Sequence, residues 1–459
     1  MSFRVLRLDS LKYYLKKRLR IFSLIMNNGE TFNQSDQNIF TPPSGVRGMV
    51  ELDRSAFKKE VDVNTILVPF SSLNKFQKKF KEDILKRRGA NLLSAENCEA
   101  QKNAKFVVMK QDFNFKSLPE FKQQLLNDLQ IESRFYTNKL EIRYDVYKHQ
   151  EIIGAVLPEG LDSTSGFERV GHIIHVNLLE HQMPYKKLIG QVLLDKHKAI
   201  TTVVNKSSTI DNTYRNFLME VIAGEANFVT KIIEYGNIFE FDFSKVFWNS
   251  KLQTEHQRIV ELIPKESVVF DVFAGVGPFS IPLAKKGCEV YANDLNEESY
   301  KWLLHNSKLN KAKLNAFNMD GRKFIKECLG KHLQLSSKTE TICVIMNLPA
   351  LAIEFLDAFT GLVKNINRAE DNKTSSSLPP VTVYCYAFSS AQDLKGDIKE
   401  RAEQSLSENL PEHSIREVRK VAPGKYMLCL SFEIPFSLLY EQSKNGDTDE
   451  SECKRIKLS

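Results

Sequence analysis

Three short stretches of this chain hold side chains whose types and spacing suit chemistry on a nucleotide-like ligand. Residues 267–294, SVVFDVFAGVGPFSIPLAKKGCEVYAND, carry an apolar run ending in Asp271, then Gly275 and Gly277, then a second apolar run closing on Asp294. Glycines let backbone turn sharply and approach a ligand with no Cβ in the way. A carboxylate about 20 residues further on, at the end of the next strand, is where a ribose hydroxyl pair is met. The second stretch is Asn347-Leu348-Pro349-Ala350, entered directly from the apolar run 342–346. An amide carbonyl there can accept from a base N–H, and the proline stiffens the turn that carries it. The third is KVFWNSKLQTEH, in which Glu255 can take a proton from a base nitrogen as that nitrogen attacks carbon. His256 and Arg258 lie on other faces of the same predicted helix, as candidates for contact with cofactor or RNA.

The elements around these residues form an alternating pattern. Strands are predicted at 268–273, 289–293, 315–318, 342–346 and 382–388, with helical patterns between them, which makes the C-terminal part an α/β fold with a Rossmann-like parallel sheet. In such sheets ligands bind beyond the carboxyl ends of the strands, where Asp271, Asp294 and Asn347 all fall. A dinucleotide fold needs a third glycine so that backbone can approach a pyrophosphate, and Ser280 stands there after a bulky Phe279. Asp271 suits a cationic ligand better than a pyrophosphate. D-x-F-A-G-x-G resembles motif I of the class I S-adenosylmethionine methyltransferases, and that resemblance implies S-adenosylmethionine as cofactor with Asp271 near its methionine end.

The chain is long enough for two or three domains, with 459 residues of which 42% are hydrophobic. Its 64 basic and 57 acidic residues leave +7, a mild lean towards polyanions that solubility alone also explains. The seven cysteines form no C-x-x-C pair, which argues for a reducing compartment and against a zinc site. No run reaches the 18 or so apolar residues of a membrane span, so no membrane partner is expected. Residues 1–26 contain seven Arg or Lys and a single acid, Asp9, a composition that resembles a mitochondrial presequence. Met26 is placed to start a shorter form, so mitochondrial matrix, cytoplasm and nucleus are the expected compartments. Residues 441–459 form a polar tail whose Lys454-Arg455-Ile456-Lys457 reads as a weak nuclear signal or a solvated end. Between the ends the expected blocks are an N-terminal domain at 27–150, an α+β middle domain at 151–246 and the methyltransferase domain at 247–440.

TYRNFLMEVIAGE, FDFSKVFWNSKLQTEH, DVFAGVGPF, ANDLN, FNMDG and MNLPA together resemble the eukaryotic and archaeal tRNA (guanine-37-N1)-methyltransferase family, and the likeness runs from about Gly166 to Pro435. It implies methyl transfer to N1 of the guanosine just 3′ of the anticodon, on a tRNA with G37, by a monomeric enzyme. It implies that Glu255 is the general base, that Arg215 steadies guanine O6 as charge develops, and that Asn347 orients the base. It further implies cofactor binding by His256, Asp294, Leu295, Asp320, Gly321 and Asn347, beside Asp271, Gly275 and Gly277. No metal and no covalent nucleophile is required, and Ala350 rather than a cysteine stands directly after Pro349. The sequence departs from the family's pattern at His256, where archaeal relatives tend to have arginine, and at Ser250-Lys251.

The family's N-terminal domain recognises the outer corner of tRNA, so Lys75, Lys78, Lys79, Lys81, Lys86, Arg87 and Arg88, on a predicted basic helix, are candidates for phosphate contacts. A solvated helix face explains them equally well. Two rival readings differ in class. One is the wybutosine-pathway transferase, which moves the aminocarboxypropyl group of the same cofactor. The other is a non-catalytic tRNA-binding subunit.

Overall fold

A computed structural model describes residues 38–87, 89–94, 103–161, 166–210, 217–336, 341–363 and 378–440. The presequence-like stretch 1–26, the polar tail 441–459, Arg88 and Arg215 lie outside the described residues. The chain divides into two compact units, one of residues 1–165 with 178–198, the other of 166–177 with 199–459.

In the first unit, β1 (Lys59–Pro69), β2 (Leu92–Ser94), β3 (Ala104–Val108) and β4 (Tyr136–Ile142) form an antiparallel sheet in the order β2-β3-β1-β4. Ile66, Val68 and Val107 from the sheet meet Phe76, Phe80 and Leu126 in its core. The basic helix expected at 75–88 is shorter and begins earlier, at Phe70–Lys79. Phe80, Ile84 and Leu85 are all buried, and the chain leaves helical geometry to bring them inward, with Ile84 bridging to Met109. The same turn carries Arg87 inside. Its guanidinium donates to Glu151 at 2.5 Å and stacks over the Phe40 ring at 4.2 Å, so Arg87 is a buried structural cation rather than a phosphate contact. Lys75, Lys78, Lys79 and Lys81 remain exposed, and Lys86 pairs with Glu82. Segment 178–198 contributes the helix Lys186–Lys196 to this unit.

The second unit opens with β5 (Phe167–Val170), β6 (Ile173–Val176), β7 (Thr202–Ile210) and β8 (Phe217–Gly224), paired in that order, and with the hairpin of β9 (Val229–Glu234) and β10 (Asn237–Asp242). Its main sheet contains β11 (Val268–Asp271), β12 (Glu289–Asn293), β13 (Asn315–Phe317), β14 (Ile342–Met346), β15 (Val381–Ser389), β16 (His413–Ala422) and β17 (Lys425–Glu433), in the order β13-β12-β11-β14-β15-β17-β16. The first five of that order run parallel, whereas β17 pairs antiparallel with β15 and β16 with β17. This is the expected α/β sheet. All five residues of β14 are buried, as an uninterrupted apolar run between two covered faces requires. One face packs Phe270, Phe324, Val344 and Leu430 into a core, and the other packs Ile259, Val269, Phe279, Ile345 and Tyr386.

The strand order reverses between β11 and β14, because β12 lies on one side of β11 and β14 on the other. A crevice opens at such a point beyond the carboxyl ends of the strands. The strand expected at 268–273 stops at Asp271: Val272 still donates across to the Ile345 carbonyl, but the chain then turns towards the glycines. The β16–β17 hairpin turns on Pro423-Gly424, with Gly424 at φ +71°. Sequence patterning does not separate these two strands from the loops around them, because β16 is largely polar and partly exposed.

Candidate active site

The turn after β11 uses its two glycines differently. Gly277 has φ +97°, and a Cβ there would lie 2.8 Å from both Ile281 Cδ1 and Leu303 Cδ1, so glycine is needed for packing. Gly275 has φ +55°, and a Cβ there would meet nothing within 4 Å, so it borders open space. Its N–H donates to Asp294 Oδ2 at 2.8 Å, while Asp294 Oδ1 accepts from the Asn296 N–H at 2.9 Å. Burial nonetheless pushes the Asp294 carboxyl up to about 6. Asp271 is fully buried at the end of β11, and Ser280 Oγ donates to its Oδ2 at 2.5 Å. Its Oδ1 has no hydrogen-bond partner, and burial, with the Asp294 charge nearby, pushes this carboxyl up to about 7. Ser280, notable in the sequence only for not being glycine, is therefore the donor that holds this carboxylate.

A side chain that motif reading passed over fixes the neighbouring loops. Buried Asn293 donates to the carbonyls of Val272 and Met319 and accepts from the Met319 N–H, at 3.0–3.1 Å, tying the ends of β11, β12 and β13 together. Asn318 donates to the Asp294 and Leu295 carbonyls at 2.7 and 3.0 Å. Asp320 caps the next helical turn, accepting from the N–H groups of Arg322 and Lys323. Gly321 sits where a Cβ would be 3.0 Å from both the Phe273 and Phe355 rings. Leu295 leaves its side chain 47% exposed. Thus Asp294, Leu295, Asp320 and Gly321 are gathered by one hydrogen-bond system about the ends of β12 and β13.

Glu255 and His256 lie on the helix Gln253–Leu262, entered through a turn that Asn249 caps. Glu255 is buried and fully engaged on one side. Arg258 donates from Nε to Oε2 at 2.7 Å and from Nη2 to Oε1 at 2.6 Å, and Tyr386 donates its hydroxyl to Oε1 at 2.9 Å. Arg258, expected to meet cofactor or RNA, thus spends its fork on Glu255. His256 Nδ1 lies 2.7 Å from Glu234 Oε1, and its ring packs against Phe279 and Trp248. With 5% of its surface exposed, His256 sits in the core with Glu234 rather than among the gathered loops.

Asn347 directly follows β14, and Phe388 donates its N–H to the Pro349 carbonyl at 2.8 Å, fixing the Asn-Leu-Pro turn against β15. Asn347 Oδ1 is buried and has no hydrogen-bond partner. In the β14–β15 register Met346 pairs with Cys385, so Asn347 and Tyr386 each lie one residue beyond that pair. The hydroxyl holding Glu255 and the amide of Asn347 therefore come from the same level of two adjacent strands.

A buried acceptor without a donor is uncommon in proteins, and here two occur, Asp271 Oδ1 and Asn347 Oδ1, at the ends of the adjacent strands β11 and β14. Asp271 Oδ1 suits a cation and Asn347 Oδ1 suits an N–H donor, so the residues present fit a nucleoside bearing an amino acid group, as S-adenosylmethionine does. Among the described residues no cluster of His, Cys, Asp and Glu is arranged to hold a metal. No helix of the described residues is long and apolar enough to cross a membrane.

Comparison with known proteins agrees with that geometry. Residues 230–368 match the profile of the TRM5/TYW2 methyltransferase domain, and residues 149–227 that of the TYW2 N-terminal domain. Solved structures of Trm5b from Pyrococcus abyssi and of a complex of aTrm5 with tRNALeu share the fold. Each has a TM-score of 0.56, at 24% and 22% identity, over 81% of this chain and 99% and 100% of those chains. The tRNA (guanine(37)-N(1))-methyltransferase of Danio rerio is 48% identical over 436 residues, covering 92% of this chain and 90% of that protein. Those of Ciona intestinalis and Homo sapiens are 47% and 45% identical, each over 91% of this chain and over 93% and 82% of their own lengths. With identity of this order along nearly its whole length, and with the motifs gathered at one end of the sheet, the chain belongs to the tRNA (guanine(37)-N(1))-methyltransferase family.

Proposed function

We infer that this chain transfers a methyl group from S-adenosylmethionine to N1 of guanosine 37 in tRNA, with Glu255 as general base. The observation that carries the residue roles is a buried carboxylate at Glu255, oriented by the Tyr386 hydroxyl, together with a buried, unpartnered carbonyl at Asn347, with Tyr386 and Asn347 at one level of neighbouring strands.

When bound, the cofactor supplies a methyl group on a positively charged sulfur. Guanine N1 carries a proton at neutral pH, and that proton must leave as the nitrogen lone pair forms its bond to the methyl carbon. Glu255 takes the proton. Asn347 accepts from a base N–H and so fixes the plane in which N1 approaches; positioning supplies much of the acceleration in an in-line transfer. Loss of the N1 proton pushes charge onto O6, and a guanidinium there, assigned by family resemblance to Arg215, is worth roughly 3 kcal/mol by analogy with an oxyanion-hole donor. Asp271 and Asp294 would hold the cationic and ribose ends of the cofactor.

The reaction is tested with labelled S-adenosylmethionine and unmodified transcripts carrying G37 or A37, mapping the product nucleoside. 1-Methylguanosine formed only from G37, with a loss of 10²- to 10⁴-fold in Glu255→Gln, is the expected result. Equal labelling of the A37 transcript, or a product whose mass shows an aminocarboxypropyl group, overturns the substrate or the reaction. The basic residues 1–26 support import into the mitochondrial matrix, and a start at Met26 supports a cytoplasmic and nuclear form. Fluorescent fusions beginning at Met1 and at Met26 test this. Action as a monomer belongs to the same proposal and is read by sedimentation.

A further inference from the structure

Among the described residues, the side chains hydrogen-bonded to the Glu255 carboxylate are donors. Arg258 approaches from the same helix with a two-pronged fork, Tyr386 from β15 with its hydroxyl, and Cys429 from β17 lies behind them, 3.7 Å from Arg258 Nη2. The imidazole of His256, next in the chain, is held by Glu234. Oε1 accepts two hydrogen bonds, from Arg258 and Tyr386, and Oε2 accepts one, from Arg258 Nε. A carboxylate oxygen has two lone pairs, so a single lone pair, on Oε2, is left for a substrate.

We propose that Arg258 and Tyr386 are positioning residues for methyl transfer, which hold the buried Glu255 carboxylate in one orientation and leave one Oε2 lone pair as the acceptor of the guanine N1 proton. This rests on Glu255 being the base. Charge-assisted hydrogen bonds are about twice as strong as neutral ones, so the guanidinium fork fixes the plane of the carboxylate while the Tyr386 hydroxyl occupies the second lone pair of Oε1. Tyr386 is suited to donate, since burial and the neighbouring acidic groups hold its hydroxyl well above the ordinary range of a tyrosine. Cys429 is likewise kept as a neutral thiol by burial, pushed up to about 12, and adds no charge beside the base. The proton taken from N1 passes to Oε2 without displacing the fork, so the base returns to the same geometry once that proton is lost to solvent.

The test is single-turnover methyl transfer to the G37 transcript in Tyr386→Phe and Arg258→Lys, with S-adenosylmethionine and tRNA affinities measured in parallel. Loss of a positioning donor lets the carboxylate turn away from N1, so the single-turnover rate should fall about tenfold in either variant while both affinities stay at wild type. Should Tyr386→Phe fail to fold, Arg258→Lys, a quarter exposed and retaining a cation, reads the same loss. An unchanged rate in both variants, or a rate lost only in step with affinity, overturns the proposal. Glu255→Gln separates the two readings. If it keeps its rate, Glu255 is not the base; if it loses its rate while the other variants keep theirs, only the positioning role fails.

Discussion

Gly275 and Gly277 have the same side chain, stand two residues apart and should fail in opposite ways when a methyl is added. In Gly277→Ala the new Cβ begins 2.8 Å from Ile281 Cδ1 and Leu303 Cδ1 and 2.9 Å from Ile281 Cγ1. Carbon atoms pack at about 3.5–4.0 Å, so both neighbours must retreat by about 0.7 Å or more. Both are fixed in the core, since Leu303 and Ile281 have no exposed surface. Overpacking of this kind costs about 1–3 kcal/mol, and the backbone at φ +97° adds about 1–2 kcal/mol for an L residue. The sum, about 2–5 kcal/mol, is a large share of the 5–15 kcal/mol typical of a folded protein. In Gly275→Ala the backbone at φ +55° lies in the left-handed well and the methyl meets no protein atom, so stability should fall by only about 1 kcal/mol. The methyl instead occupies the open space assigned to the cofactor, and affinity for S-adenosylmethionine should drop tenfold or more, ~1.4 kcal/mol. Urea unfolding and calorimetric titration of both variants read the two effects separately. Equal destabilisation by the two changes, or Gly275→Ala binding cofactor as the wild type does, would refute the division of labour between the glycines.

Three further outcomes follow from the carboxylates and the amide that gather the loops. Asp271 at about 7 and Asp294 at about 6 bind protons more tightly when folded than at their ordinary 3.8, so ligand-free stability should decline as pH rises from about 4 to about 7. A cationic ligand favours their ionised forms, so cofactor affinity should rise between pH 6 and 8 with proton release. Titration calorimetry in buffers of different ionisation enthalpy detects that release, and a pH-independent affinity argues against the assignment. Ser280→Ala removes the donor to Asp271 Oδ2 and should cost about 1.5–3 kcal/mol at pH 8 and less at pH 5, where the carboxyl is protonated, as urea unfolding at the two pH values will show. Asn293→Ala deletes the bonds to Val272 and Met319 and should destabilise by about 2–4 kcal/mol while weakening cofactor binding, because Asp320 follows Met319 directly; unchanged affinity would count against this.

The parallel half of the main sheet was legible because its strands are buried on both faces and therefore spelled as unbroken apolar runs. Ile342–Met346 is the clearest case, ending at the asparagine that the fold brings to the crevice. The ligand-facing motifs were legible because each is local in sequence: a carboxylate, a turn and a carboxylate, or an amide followed by a proline. What remained hidden depends on partners far apart in the chain. Tyr386 and Glu255 are 131 residues apart and touch only because β15 and the helix before β11 pack on one face, so no spacing rule pairs them. Ser280 and Asn293 are small polar residues whose burial, not their type, reveals their work. The basic helix was read too long because lysines sustain helical composition after Phe80 and Ile84 have turned the backbone inward. Arg87, counted there among the surface cations, ends up against Glu151 for the same reason.

The division of the chain into units of 1–165 with 178–198 and 166–177 with 199–459 means that neither unit is a continuous piece of polypeptide. During synthesis the strands β5 and β6 leave the ribosome before the residues that complete the first unit, yet they must wait for β7 to acquire a parallel neighbour. The helix Lys186–Lys196 emerges in between and belongs with what came earlier. A premature stop between residues 178 and 198 therefore leaves the first unit short of that helix or of its flanks. It also leaves the second unit without a sheet partner for strands already made. Separating the two units by simple truncation, or transplanting the second unit onto another protein, requires carrying or re-joining the segment 178–198 rather than choosing a single cut.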